Sequence, residues 1–146
     1  MKAATGDNRD AAGQGVRTAV IRLRPRPGSA ASARYFTSTV LSSWRIAEQV
    51  MEDVLLAVSE LVTNAIEHGV GEVLLEVFDL AGRCLRVQVT DHGVGANPAL
   101  IPFTPDSARS RGLAIVAAVS ASWGHEARED GLRVWAEFPM VRINPI

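Results

Sequence analysis

The period of apolar and polar residues changes several times along this 146-residue chain, and each change marks an element. Val16 to Leu23 alternates in part and predicts a strand, which Pro25, Pro27 and Gly28 bring to an end. Arg17, Arg22, Arg24 and Arg26 crowd the same segment. They suit a partner-binding edge or, as the favoured reading, a charged edge strand guarded against self-pairing. Beyond the break, Tyr35, Phe36, Val40, Leu41 and Trp44 recur at helical spacing, with Ser29 or Ser32 as the cap, so a helix with this stripe in the core is expected. A second helix should run from about Gln49 to His68 and stop at Gly69. Glu72 to Phe78 and Cys84 to Thr90 read as two strands of a hairpin turning at Ala81-Gly82. From His92 to about Arg109 no apolar period survives among Gly93, Gly95, Pro98, Pro102 and Pro105, which predicts a long loop. Leu113 to Ala121 is apolar on nearly every side and predicts a short buried helix ending near Trp123-Gly124. His125 to Arg128 and Leu132 to Phe138 close the chain as a hairpin turning at Asp130-Gly131.

Strands that come in pairs, rather than in strict alternation with helices, argue for an α+β fold: a two-layer α/β sandwich whose mostly antiparallel sheet carries helices on one face. The domain should span residues 16–140, after a polar, unpatterned tail over 1–15 and before a short C-terminal tail over 141–146. A hydrophobic fraction of 47% is ample for one core at this length, and two cores would be hard to fit. With a formal net charge of -1 there is no global field to hold nucleic acid or an acidic membrane. Cys84 is the single cysteine, so a cysteine-cluster metal site is ruled out. No apolar targeting stretch opens the sequence and no run nears ~20 apolar residues, so a cytoplasmic protein is expected.

Chemistry concentrates in three places. On the second helix Val54, Leu55, Val58, Leu61, Val62, Ala65 and Ile66 share one arc, while Glu60, Asn64 and Glu67 fall on the opposite side. Glu60 and Asn64, at i and i+4, project side by side, an acid and an amide aligned for one ligand, although an ordinary solvated face has the same spacing. Asp91-His92-Gly93-Val94-Gly95 leaves an apolar strand, so a carboxylate fixed by the sheet stands beside glycines that admit a close ligand. The run continues Ala96-Asn97-Pro98, which disfavours a dinucleotide fingerprint, and no P-loop occurs. Ser110-Arg111-Gly112-Leu113 then opens the third helix, whose first N–H groups suit an anion.

In order and spacing, the segments from Glu60 to Gly69, from Asp91 to Gly95 and from Arg111 to Leu113 resemble the N, G1 and G2 boxes of the GHKL (histidine-kinase-like) ATPase superfamily. Within it the chain is similar to the stand-alone serine/threonine kinases that act as bacterial anti-sigma factors, over roughly Val16 to Met140. The resemblance implies a Bergerat ATP-binding fold with ATP and Mg as cofactors. Asn64 would hold Mg²⁺, Glu60 would be the general base, and Asp91 would read the adenine amine. Gly93 and Gly95 would shape the pocket, and Ser110, Arg111, Gly112 and Leu113 would meet the phosphates beneath a lid over residues 96–109. The implied partners are a STAS-type anti-sigma-factor antagonist, phosphorylated on serine, a sigma factor held in sequestration, and a second copy of the chain. Two positions depart from the pattern: Ser110 stands where the G2 box opens with glycine, and Arg133 aligns with a Thr that helps the adenine-reading Asp through a water. Two further functions compete, a nucleotide-dependent binding module without transfer activity and a catalytic domain broken from a sensor kinase.

Overall fold

A computed structural model describes residues 2–9, 15–92, 108–129 and 131–140. Six strands, β1 (Lys2–Arg9), β2 (Gly15–Leu23), β3 (Val73–Leu80), β4 (Cys84–Thr90), β5 (Ser122–Arg128) and β6 (Gly131–Pro139), form one antiparallel sheet in the order β1-β2-β3-β4-β6-β5. Three helices, α1 (Ser29–Ser43), α2 (Glu48–His68) and α3 (Ala108–Val119), pack on one side of it. The expected α+β sandwich is therefore what the chain forms. Among the described residues no helix is long and apolar enough to cross a membrane.

Strand alternation sorts the side chains. Ala19, Ile21 and Leu23 of β2, Val73, Leu75 and Val77 of β3, and Leu85, Val87 and Val89 of β4 are buried on the helix side. Val54, Val58, Leu61 and Val62 of α2 meet them. Leu61→Ala would cost about 2–5 kcal/mol, the usual range for opening a cavity in such a core. No Gly or Pro interrupts α2, while Glu48 in its first turn and His68 in its last complement the helix dipole. The β3–β4 turn needs the left-handed backbone of Ala81 (φ 57°) and Gly82 (φ 73°), and buried Asp79 fixes it by accepting the Gly82 N–H at 2.8 Å.

Several expectations are corrected. Residues 2–9 are not a tail: they pair with β2 from Lys2↔Arg22 to Arg9↔Gly15. Pairing comes from the free edge of β2 rather than from any apolar pattern in the segment itself, which is why alternation missed it. β2 is consequently an interior strand, and its arginines form no single patch. Arg17 turns to the helix side, where it pairs with Asp79 and lies over the Trp44 ring at 5.2 Å, whereas Arg22 faces the other way and reaches Glu72 at 3.5 Å. Tyr35 leaves the core stripe of α1 and is 77% exposed. Neither serine caps α1: the N-cap is Gly28 without a side-chain bond, and Ser29 donates instead to the Arg24 carbonyl at 2.6 Å. Among the described side chains of α3, Leu113 and Val116 are buried and Ala114, Ala117 and Ala118 are exposed, small residues that favour a helix without needing a core. Trp123 and Gly124 lie within β5 rather than ending α3.

Candidate functional site

Part of the polar stripe of α2 meets protein: Asn64 is buried and Glu60 half-buried, while Glu67 is exposed. α3 packs along that side, and Gly112 is its point of closest approach: a Cβ there would lie 2.9 Å from Glu60 Oε2 and 3.3 Å from Asn64 Nδ2. Any larger residue at 112 would push the carboxylate and the amide aside. Asn64 is buried, at 8% exposure, and its Nδ2 has no hydrogen-bond partner. Buried polar groups are almost always paired, so this amide holds unspent bonding capacity at the cleft. Glu60 stays half-buried and reachable. Pattern alone missed Arg34 of α1, which donates to Ser59 Oγ at 2.8 Å and so places a cation beside the residue preceding Glu60.

Asp91 is held by backbone on three sides. Its N–H donates to the Leu132 carbonyl at 3.1 Å, and the His92 N–H donates to the Val70 carbonyl at 3.0 Å. Gly69, just past α2, is extended at φ -93°, so it serves through close packing and not through a left-handed cap. A Cβ on it would sit 2.6 Å from Asp91 Cγ. At the start of β6, a Cβ on Gly131 would come within 1.7 Å of the Asp91 carbonyl oxygen. Asp91 itself is 4% exposed. Two glycines far apart in sequence thus pack on Asp91 where α2, β4 and β6 converge, Gly69 against its side chain and Gly131 against its backbone carbonyl.

A cleft between α2, α3 and the sheet joins these parts. Its walls are Leu61, Ala65, Val89, Leu113, Leu132 and Val134, and its polar groups are Asn64, Asp91 and His125. Apolar walls with a few convergent polar groups are what a small-ligand site requires. The structure therefore brings together Glu60, Asn64, Asp91, Gly112 and Leu113. Arg111 is exposed, and Ser110 lies in the first turn of α3. Because α3 begins at Ala108, Gly112 falls in the second turn, and its contribution is the space it leaves for Glu60 and Asn64. Gly93 and Gly95, with residues 96–107 of the expected lid, lie outside the described residues. Arg133 does not face the cleft. It pairs in register with Thr90 on the far side of the sheet and donates to Glu126 at 3.0 Å; the cleft positions are its neighbours Leu132 and Val134. Neighbours along a strand face opposite sides of the sheet, so Arg133 points away from the cleft that Leu132 and Val134 line.

An adenine nucleotide with a divalent cation fits these residues. The unpartnered Nδ2 of Asn64 is a donor for a phosphate oxygen while its Oδ1 suits a cation, Glu60 lies beside it across Gly112, and the apolar walls suit a flat base.

The family model of the histidine kinase-like ATPase domain matches residues 23–138. The fold is similar to that of the RsbU and RsbW domains of Rv1364c from Mycobacterium tuberculosis, with a TM-score of 0.65 and 17% identity, covering 84% of this chain and 32% of that one. It is similar also to the histidine kinase domain of the Erythrobacter litoralis EL346 blue-light activated histidine kinase, with a TM-score of 0.50 and 24% identity, over 63% of this chain and 45% of that one. This chain thus spans about a third of the mycobacterial structure and under half of the other. Among curated proteins no significant relative is found.

Proposed function

The chain belongs to the histidine kinase-like ATPase domain family, and from that membership we propose that it binds ATP and transfers a phosphoryl group to a serine of a STAS-type anti-sigma-factor antagonist. In its other state it sequesters a sigma factor, as a monomer or as a homodimer. The observation that carries the reading is the meeting of Glu60 and Asn64 at Gly112, with Asn64 also lining the cleft that Asp91 borders.

Each residue has a chemical task. Asp91 accepts from the adenine amine, with Gly69 packed against its side chain and Gly131 against its backbone. Asn64 would hold Mg²⁺ beside the phosphates; when bound, the metal neutralises their charge. Glu60 is half-buried at the same place and takes the proton from the attacking hydroxyl, a step worth about 10²–10⁴ in rate for a positioned base. Leu113 closes the apolar wall, while Ser110 and Arg111 stand at the helix end that meets the phosphates, with Gly93 and Gly95 in the adjoining segment. Positioning and charge stabilisation, rather than covalent chemistry, are what phosphoryl transfer asks of a protein.

A second reading, a nucleotide-dependent binding module without transfer, is favoured by one observation: the cleft position beside Asp91 is the aliphatic Leu132, which offers no hydroxyl to order a water on the base. Incubating the protein with radiolabelled ATP, Mg²⁺ and candidate antagonists separates the two. Label on the antagonist is expected. Nucleotide binding without any transfer would establish the module instead. ATP should also bind better than GTP, because guanine presents a carbonyl to Asp91 where adenine presents an amine. Equal affinity for both would remove Asp91 from base recognition.

A further inference from the structure

We infer that a trough at the N-terminal end of α2 docks a partner protein, through a segment that pairs a large apolar side chain with Lys or Arg. The inference goes beyond the nucleotide reading and does not depend on it. Helix α3 runs back along α2. Its Gly112 meets Glu60 and Asn64, and about two turns later its Val119 lines one trough with Val50 and Asp53. The seam between the two helices is closed around Asn64 but opens at this other end into a volume of about 420 Å³. Along α2, at about 1.5 Å per residue, Asp53 lies roughly 16 Å from Asn64. An occupant of the trough therefore leaves the nucleotide cleft open.

Shape and charge together define the occupant. Val50, Val119 and Phe138 make an apolar floor that rests on the core. The rim is exposed on both sides, at Ala47, Gln49 and Asp53 along α2 and at Ala121 and Pro139 opposite. Small-molecule sites bury most of their ligand, whereas a trough open along its length suits a side chain carried on a backbone that stays outside. Glu48, Glu52 and Asp53 are exposed on or next to the α2 side of this rim, and among the described residues none of the three has an ion-pair partner. The helix dipole accounts for Glu48, but it fades within the first turn and leaves Glu52 and Asp53 unexplained. Arg45, exposed just before α2, offsets part of the charge, and the rim stays acidic. Leu56, 43% exposed and one turn beyond Glu52, extends the apolar surface past the carboxylates. An apolar anchor in the floor supplies affinity, while Lys or Arg against the rim sets orientation and excludes acidic segments.

The test is a selection of phage-displayed peptides on the full chain, followed by fluorescence anisotropy with the strongest binder made synthetically. Wild type is compared with Gln49→Trp, which fills the trough, and with the double variant Glu52→Lys, Asp53→Lys. All three positions are exposed, so the core stays closed, and equal melting temperatures verify it. The selected peptides should combine a large apolar residue with Lys or Arg. Gln49→Trp should weaken binding by about tenfold, the scale of one well-placed interface residue. The double reversal should do the same and remove the dependence of affinity on salt. A selection that yields no binder, peptides without Lys or Arg, or binding that survives both variants would overturn the inference. So would two other results that reassign the trough: a dimer in sedimentation that Gln49→Trp dissolves, which gives it to a second copy, or peptide binding seen only after removal of residues 141–146, which gives it to the chain's own C-terminal segment.

Discussion

The outer face of the sheet and the cleft on its helix side use their polar residues in opposite ways. On the outer face Gln88 donates to Glu76 at 2.9 Å, Arg86 donates to Gln88 at 3.2 Å and to Glu137 at 3.5 Å, and Ser122 donates to Glu137 at 3.2 Å. The Arg86 guanidinium also covers the Trp135 ring at 4.4 Å. Each of these groups has a lateral partner that lets an open sheet face hold its charges. In the cleft, by contrast, Asn64 is buried with an amide nitrogen unpaired, and Glu60 is pressed towards it across a glycine. Satisfied networks hold structure, whereas an unsatisfied buried group beside a cleft leaves bonding capacity that a ligand could take. The contrast blurs at one place: Thr90 Oγ1 and Arg133 Nε on the outer face also lack partners, and both lie at the strand ends adjoining Asp91.

If that contrast is right, cleft substitutions should alter chemistry while leaving the fold intact. The largest effect belongs to Glu60→Ala, which should keep ATP affinity and lose about 10²–10⁴ in transfer rate to the antagonist. Transfer at the parental rate would remove Glu60 as the base. Next comes Asn64→Ala. It should weaken Mg-ATP binding by about 10- to 100-fold, on the scale of a lost bond to a charged partner, with a melting temperature equal to or above that of the parent. A stable variant with unchanged affinity would make Asn64 a packing residue whose orphaned amide means nothing.

How far this site could be read from sequence follows from the same geometry. Local signals carried over well: the Ala81-Gly82 hairpin, the run of α2 to Gly69, and the placement of Asp91 at a strand end all depend on neighbours in sequence. The helical wheel correctly separated Glu60 and Asn64 from the main apolar arc, but a wheel has one buried side, and α2 packs between α1 and α3 as well as on the sheet. Asn64 is therefore buried on a side that looked solvated. Gly131 and Gly69 reveal their use only once β6 and the end of α2 converge on Asp91. Arg133 and Leu132 show the tightest limit, since adjacent strand residues face opposite sides and sequence position alone does not say which of the two meets the cleft.

Outer-face changes should do the reverse. Arg86→Ala removes the cation over Trp135 and two side-chain bonds at a half-buried site, so a loss of about 1 kcal/mol in unfolding free energy is expected, with ATP affinity unchanged. Denaturant unfolding paired with calorimetry reads both quantities. A fall in affinity that exceeds the fall in stability would mean the two faces are coupled through β4 and β6.

The smallest effect tests the charge balance of that outer network from within. Cys84 sits at its edge, and burial, followed by the neighbouring Glu137 carboxylate, pushes its thiol above the ordinary 9.0, against smaller opposing contributions from a backbone hydrogen bond at Phe138 and from Arg86. Sign follows from linkage: the unfolded chain ionises this thiol at a lower pH than the folded one. The contribution to stability is thus undiminished below about pH 9.0 and is lost as pH rises from there through the folded value. Cys84→Ser should flatten the alkaline limb of the stability profile slightly and leave the neutral region alone. Glu137→Gln should lower the pH at which a thiol-alkylating reagent becomes fast, and Arg86→Ala should raise it. These opposite shifts distinguish a charge-coupled network from simple burial, because burial alone would leave the thiol profile indifferent to the sign of its neighbours.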